Sequence, residues 1–211
     1  MARLVVFDMD GVLADVQSSW VYVHRHFNVN NDHSLYAYLR GEIDDLEFIR
    51  RDIKLWKDKE PDISTHRIGD ILKGVPLMPG ASNAVSQLRK RGVKTAIVSA
   101  GIDLLAERIA GELGMDHQLA NGFVADGHGT LTGEGILRVK LMDKGDAVSE
   151  VGARFGVVPE DIVSVGNSSY DVSMFERSGK GIAFRPSDDK VREMADAVVE
   201  HDDLSAILKL V

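Results

Sequence analysis

The chain has 211 residues, no cysteine, and 33 acidic against 25 basic side chains, for a formal net charge of −8. This length suits one α/β domain carrying an insertion better than two independent domains. The acidic balance argues against a nucleic-acid binder working through a general basic field and against attraction to anionic membranes. Without cysteine there are no disulfides, thiolate metal sites or thiol chemistry, which leaves oxygen and nitrogen ligands and fits a cytoplasmic protein. The opening apolar run is too short for a signal peptide, and no run approaches the roughly 18 residues that a membrane span requires.

Leu4-Val5-Val6-Phe7 reads as a strand buried on both faces, the pattern of a parallel sheet. From about Asp15 to Val75 the strand signature is lost and amphipathic helices are expected. Leu46, Ile49, Ile53 and Trp56 recur at intervals of three and four and form one apolar stripe, with a shorter one at Trp20, Val23 and Phe27. The expected organisation is a core of residues 1–14 and 76–211 with a helical insertion at 15–75.

From Pro79-Gly80 onward, helices alternate with short apolar runs in the βα pattern of a parallel sheet. Helices are expected over Ala81–Arg91, Leu104–Leu113 and Lys144–Phe155, each ended by a glycine (Gly92, Gly114, Gly156). Strands are expected over Lys94–Ser99 and Asp161–Gly166, with edge strands at Gly181–Phe184 and Ala197–Val199. Within Asn121–Val139, the Asp126-Gly127-His128-Gly129 turn signal predicts a β-hairpin beside the sheet.

The polar residues at the expected strand ends carry the chemistry. Asp8 and Asp10 follow the first strand two apart, and strand alternation places both on one side, able to face one ion or one phosphoryl group. In Ser99-Ala100-Gly101 a hydroxyl and backbone N–H groups precede a helix, a place where phosphate oxygens can be held. Lys144 stands near a helix start, where a cation is electrostatically out of place and invites an anionic partner. Gly166-Asn167-Ser168-Ser169-Tyr170-Asp171 ends a strand in polar groups followed by a carboxylate.

These four segments, in this order, resemble the haloacid dehalogenase-like phosphohydrolases, and the resemblance covers nearly the whole chain. It is strongest to the phosphoserine phosphatase branch, through Val98-Ser99-Ala100-Gly101, Leu119-Ala120-Asn121, Leu131-Thr132-Gly133 and Asp171-Val172-Ser173-Met174-Phe175. The resemblance implies a Rossmann-like parallel-sheet core, a small helical cap after the first strand, and a β-hairpin. It implies a phosphomonoesterase for a small phosphorylated metabolite, working through an aspartyl-phosphate. Asp8 would be the nucleophile and Asp10 the general acid, then base. Ser99, Ala100, Gly101 and Lys144 would bind the transferring phosphoryl group, with Ser99 and Lys144 also counted as catalytic. Mg²⁺ would be held by Asp8, Asp10, Asn167 and Asp171.

The chain also departs from the family pattern. Asn167 stands where the late loop usually has Asp, replacing a charged ligand with a neutral one, and Tyr170 replaces a smaller polar residue. The positions that hold the amino and carboxylate groups of phosphoserine are occupied by Gln17 and Asp52, with Arg50 or Arg51 as substitutes if the helix is shifted. Two other activities stay open at this level: phosphotransfer to an alcohol acceptor, and a weakened ligand-binding relative.

Overall fold

The structure is a computed structural model and describes residues 2–211. Its seven strands are β1 (Leu4–Phe7), β2 (Lys94–Ile102), β3 (His117–Ala125), β4 (Leu131–Ile136), β5 (Ile162–Gly166), β6 (Lys180–Phe184) and β7 (Ala197–Val199). They form one sheet in the order β4-β3-β2-β1-β5-β6-β7, parallel except for the antiparallel β3–β4 pair. Every residue of β1 is buried, as its unbroken apolar run requires at the centre of a parallel sheet. Val5 and Phe7 join the core cluster that contains residues of α5 (Ala81–Lys90) and α6 (Asp103–Leu113). Leu4 and Val6 join a second cluster with α7 (Gly145–Phe155), α8 (Val172–Glu176) and α9 (Asp189–Met194). The fold is therefore a three-layer α/β sandwich.

Three expectations are corrected. β2 does not stop at Ser99 but runs on to Ile102, through a register shift against β3 between Ser99 and Ile102. The hairpin is not a separate element beside the sheet, because its first strand begins at His117 and pairs in parallel with β2. Asp10 is not placed by strand alternation. The backbone leaves the strand at Asp8 and folds over, with the N–H groups of Val12, Leu13 and Ala14 all donating to the Met9 carbonyl.

Between β1 and α5 the chain forms only helices: α1 (Ser19–His26), α2 (Asp32–Leu39), α3 (Asp45–Lys57) and α4 (Thr65–Leu72). Ser18, Asp44 and Ser64 cap α1, α3 and α4 by accepting backbone N–H groups from Val21, Glu47 and Arg67. The segment leaves and returns through adjacent strands of chain: Asp15 N–H donates to the Pro76 carbonyl (2.9 Å) and Met78 N–H to the Leu13 carbonyl (2.8 Å). On α3 the stripe Ile49, Ile53, Trp56 is buried, and Trp56 stacks on Trp20 at 5.6 Å with Phe123 of β3 against its edge. α3 lies tight on the hairpin because position 135 is glycine; a Cβ there would fall 2.3 Å from Ile49 Cγ2. Trp56→Ala is expected to cost about 3–5 kcal/mol in urea unfolding, and a loss below about 1 kcal/mol would contradict this reading of the core.

Candidate active site

Asp8 and Asn167 follow the carboxyl ends of β1 and β5, and Ser99 lies at the register shift near the end of the adjacent β2. Asp8 N–H continues the ladder by donating to the Val165 carbonyl (2.9 Å). Past it, Gly11 adopts φ +78°, and a Cβ at this position would fall 2.2 Å from Asn167 Nδ2, so the turn and the Asn167 side chain touch. Asp10 Oδ2 accepts from Ser19 N–H (2.7 Å) and Ser19 Oγ (2.8 Å), and Ser19 Oγ in turn accepts from Ile102 N–H (3.0 Å). Asp10 Oδ1 is buried with no hydrogen-bond partner among the described residues. Ser99 Oγ accepts from Gly101 N–H (3.1 Å) across the shifted register of β2.

Lys144, immediately before α7, is buried, and its backbone N–H donates to Ser173 Oγ (2.9 Å). Its ammonium donates to Asp171 Oδ1 (2.6 Å) and lies 2.9 Å from Asp8 Oδ1, a close but poorly aligned contact. The anionic partner its position called for is thus a pair of carboxylates. Asp171 Oδ2 accepts the N–H groups of Asn167 (2.8 Å) and Ser168 (3.0 Å). Asp171 is fully buried with both oxygens engaged, which leaves it ill-suited to the metal-ligand role expected of it.

Three carboxylates and one ammonium share this pocket. Burial pushes Asp8 up to about 7; Lys144 opposes the rise, and Asp171 and Asp10 add to it. Burial also raises Asp10, against the two Ser19 hydrogen bonds. For Lys144, burial works to remove the proton, but Asp171 and Asp8 outweigh it and hold the ammonium charged beyond its ordinary range. The surplus of negative charge and the oxygen donors of Asp8, Asp10 and Asn167 fit a hard divalent cation. No cluster of three His, Cys, Asp or Glu side chains suited to a metal exists among the described residues, so such an ion would rely on amide, backbone, water and phosphate oxygens as well.

A cavity of about 340 Å³ opens over this cluster. Asp8, Asp10, Ser99, Ala100, Gly101, Lys144 and Asn167 line it from the sheet side; Gln17 and Asp52 line it from the helical segment, and Tyr170 from the late loop. Arg50 and Arg51 do not line it, which corrects their expected part in substrate recognition. Arg50 pairs with Glu134 on the hairpin (2.6 Å) and Arg51 with Glu47 one turn back on α3 (2.9 Å). A helix that buries Ile49, Ile53 and Trp56 turns positions 50 and 51 elsewhere.

The model of the haloacid dehalogenase-like hydrolases matches residues 5–176. The chain belongs to that family. Among its haloacid dehalogenase-like relatives, the phosphoserine phosphatase of Methanocaldococcus jannaschii is 29% identical over 99% of this chain and 97% of that protein. The phosphoserine phosphatase of Archaeoglobus fulgidus is 30% identical over 99% of this chain, which spans only 60% of that longer protein. A solved phospho-aspartyl intermediate analogue of phosphoserine phosphatase has a TM-score of 0.83 at 28% identity, covering 100% of this chain and 99% of that one. A substrate-bound phosphoserine phosphatase complex gives the same TM-score at 27% identity and the same coverage. Within the family, the chain lies on the phosphoserine phosphatase-like branch.

Sequence reasoning missed several residues around the cavity. Ser19 orients Asp10, while Asn121 ties β3 to the Ala100 and Val139 carbonyls (3.2 and 2.8 Å) and accepts from the N–H groups of Arg138 and Val139. His24 lies one helical turn past Trp20 on the buried stripe, a spacing that marks it as a polar group aimed inward. Lys144→Met would leave Asp8 and Asp171 buried without a counter-ion, at a cost of about 3–5 kcal/mol. Burial already raises Asp8, and losing the opposing Lys144 charge raises it further, so Asp8 takes up a proton on folding and the loss is expected to be greatest at pH 8 and to shrink toward pH 5 in denaturant titrations. A pH-independent loss would contradict the charge account.

Proposed function

We propose that the protein is a Mg²⁺-dependent phosphomonoesterase that passes the phosphoryl group of a small soluble metabolite first to Asp8 and then to water. The observation that carries this reading is the pairing of Asp8, held against the Lys144 ammonium, with Asp10, whose buried Oδ1 is unpartnered over the same cavity. In the first half-reaction an Asp8 carboxylate oxygen bonds to phosphorus as the ester oxygen leaves, and protonated Asp10 gives that oxygen its proton. In the second, Asp10 takes a proton from water as the water oxygen attacks phosphorus; the bond to Asp8 breaks, and inorganic phosphate and the Asp8 carboxylate are released. The raised affinity of Asp10 for its proton suits the first role, and its Ser19 hydrogen bonds keep the side chain aimed during the second.

Ser99 Oγ, Gly101 N–H and Lys144 Nζ are the groups that would bind the phosphoryl oxygens. Asp171 acts from behind, fixing Lys144 and the 167–168 backbone. A hard divalent cation held by Asp8, the Asp10 carbonyl and the Asn167 amide would polarise the phosphoryl oxygens and offset the gathered negative charge. Residues 15–75 form the cap of this enzyme over a core of 1–14 and 76–211, and they would exclude water from the leaving-group end of the cavity. The acidic, cysteine-free chain, with no helix among the described residues able to cross a membrane, fits a cytoplasmic enzyme acting on a dissolved metabolite.

The first test is phosphate release from p-nitrophenyl phosphate with and without Mg²⁺. Asp8→Asn is expected to lower the metal-dependent rate by at least about 10³-fold, and a variant retaining near-normal turnover would overturn the proposal. The second concerns Asn167. Restoring a charge with Asn167→Asp is expected to lower the half-saturating Mg²⁺ concentration by about tenfold, and an unchanged metal dependence would remove residue 167 from the metal site.

A further inference from the structure

The far wall of the cavity is built by the helical segment, and its polar groups are Gln17, Ser18, Asn31, Asp45 and Asp52. Asp52 is only 3% exposed. Its Oδ1 lies 3.4 Å from His24 Nε2 and accepts from Asn31 Nδ2 at 3.2 Å, while nothing among the described residues donates to Oδ2. Trp56 decides the charge of that histidine. An indole N–H can only donate, and Trp56 Nε1 sits 2.7 Å from His24 Nδ1. Nδ1 is therefore the unprotonated nitrogen, the single ring proton is on Nε2 facing Asp52, and the imidazole is neutral. Asp52 thus has one hydrogen bond, from Asn31, beside a neutral imidazole whose Nε2 makes no aligned bond to it, and no counter-ion among the described residues.

The same holds for Asp45, whose Oδ1 accepts from Tyr38 Oη and from Leu141 N–H (both 2.9 Å). Lys144, the only cationic side chain lining the cavity among the described residues, is already committed to Asp8 and Asp171. Burial disfavours the charged form of Asp52 and raises its proton affinity, against the opposing effects of His24 and Asn31. Trp20, Phe48 and Tyr170 line the same chamber, and aromatic rings are groups that can receive ammonium cations.

We infer that the leaving group of the substrate carries an amine seated against Asp52, so that the substrate is the phosphate monoester of a small amino alcohol without a carboxylate. This rests on the phosphatase reading above. A carboxylate on the leaving group would face Asp52 and Asp45 with no guanidinium or ammonium to receive it, and that repulsion sets the selectivity as much as the attraction for the amine. Asp52 contacts the substrate; Asn31 is a positioning residue that holds its Oδ1 and leaves Oδ2 toward the chamber.

The test measures phosphate release by the full chain with Mg²⁺ from phosphoethanolamine, L-phosphoserine, glycerol 3-phosphate and p-nitrophenyl phosphate, for wild type and Asp52→Asn. Wild type is expected to favour phosphoethanolamine over both L-phosphoserine and glycerol 3-phosphate by about tenfold or more in kcat/KM. In Asp52→Asn, kcat/KM for phosphoethanolamine should fall on the order of 10- to 100-fold, mainly through KM, with a smaller loss on glycerol 3-phosphate. L-phosphoserine as the best substrate, or equal losses on the amine and the glycerol ester, would overturn the inference, and the wild-type ranking decides even if the variant fails to fold. Turnover of p-nitrophenyl phosphate without amine preference sinks this inference alone. No turnover of any ester sinks the phosphatase reading and this one with it.

Discussion

The Lys144 ammonium, buried between Asp8 and Asp171, is the interaction on which the rest of the site depends. Burial works to strip the proton from the ammonium and to place one on Asp8, and the contact between the two opposes both. Through these contacts β1, the residue before α7 and the late loop are tied into one unit. Asp171 extends the tie by receiving the Asn167 and Ser168 N–H groups, which brings Asn167 against the Gly11 turn. Reactive residues that are distant in sequence are therefore placed by one charge cluster.

That cluster is deliberately incomplete. Asp8 has only one poorly aligned partner, Asp10 keeps one buried oxygen unpartnered, and three carboxylates face one ammonium. A site balanced for stability alone would pair these groups. The net negative charge is what a divalent cation would offset, and the unpartnered oxygens are groups a bound ligand could engage, so stability is given up at the one place where unsatisfied groups can serve binding. The same logic recurs at the far end of the cavity, where Asp52 is buried beside a neutral histidine.

Much of this was legible in the sequence because it depends on local pattern. The apolar run of β1, the βα alternation after Pro79 and the stripe on α3 fix which faces are buried, and the polar residues at strand ends then converge by topology. What escaped depends on contacts between segments. Arg50 and Arg51 read as candidates until the burial of Ile49 and Ile53 turns them toward Glu134 and Glu47. Asp171 read as a metal ligand because its engagement by Lys144 and the loop N–H groups joins residues 27 positions apart. The His24 tautomer depends on Trp56, 32 positions away, and β2 overran Ser99 because its register shift is set by β3.

As proposed, Asp8 would carry the phosphoryl group covalently. Acid-quenching the enzyme during turnover, reducing with borohydride and sequencing the peptides by mass spectrometry tests it directly. An acyl phosphate at Asp8 is expected to be reduced to the alcohol at that position alone, and only when substrate and Mg²⁺ are both present. Steady phosphate release with an unmodified Asp8 peptide, or modification at another carboxylate, would contradict the account.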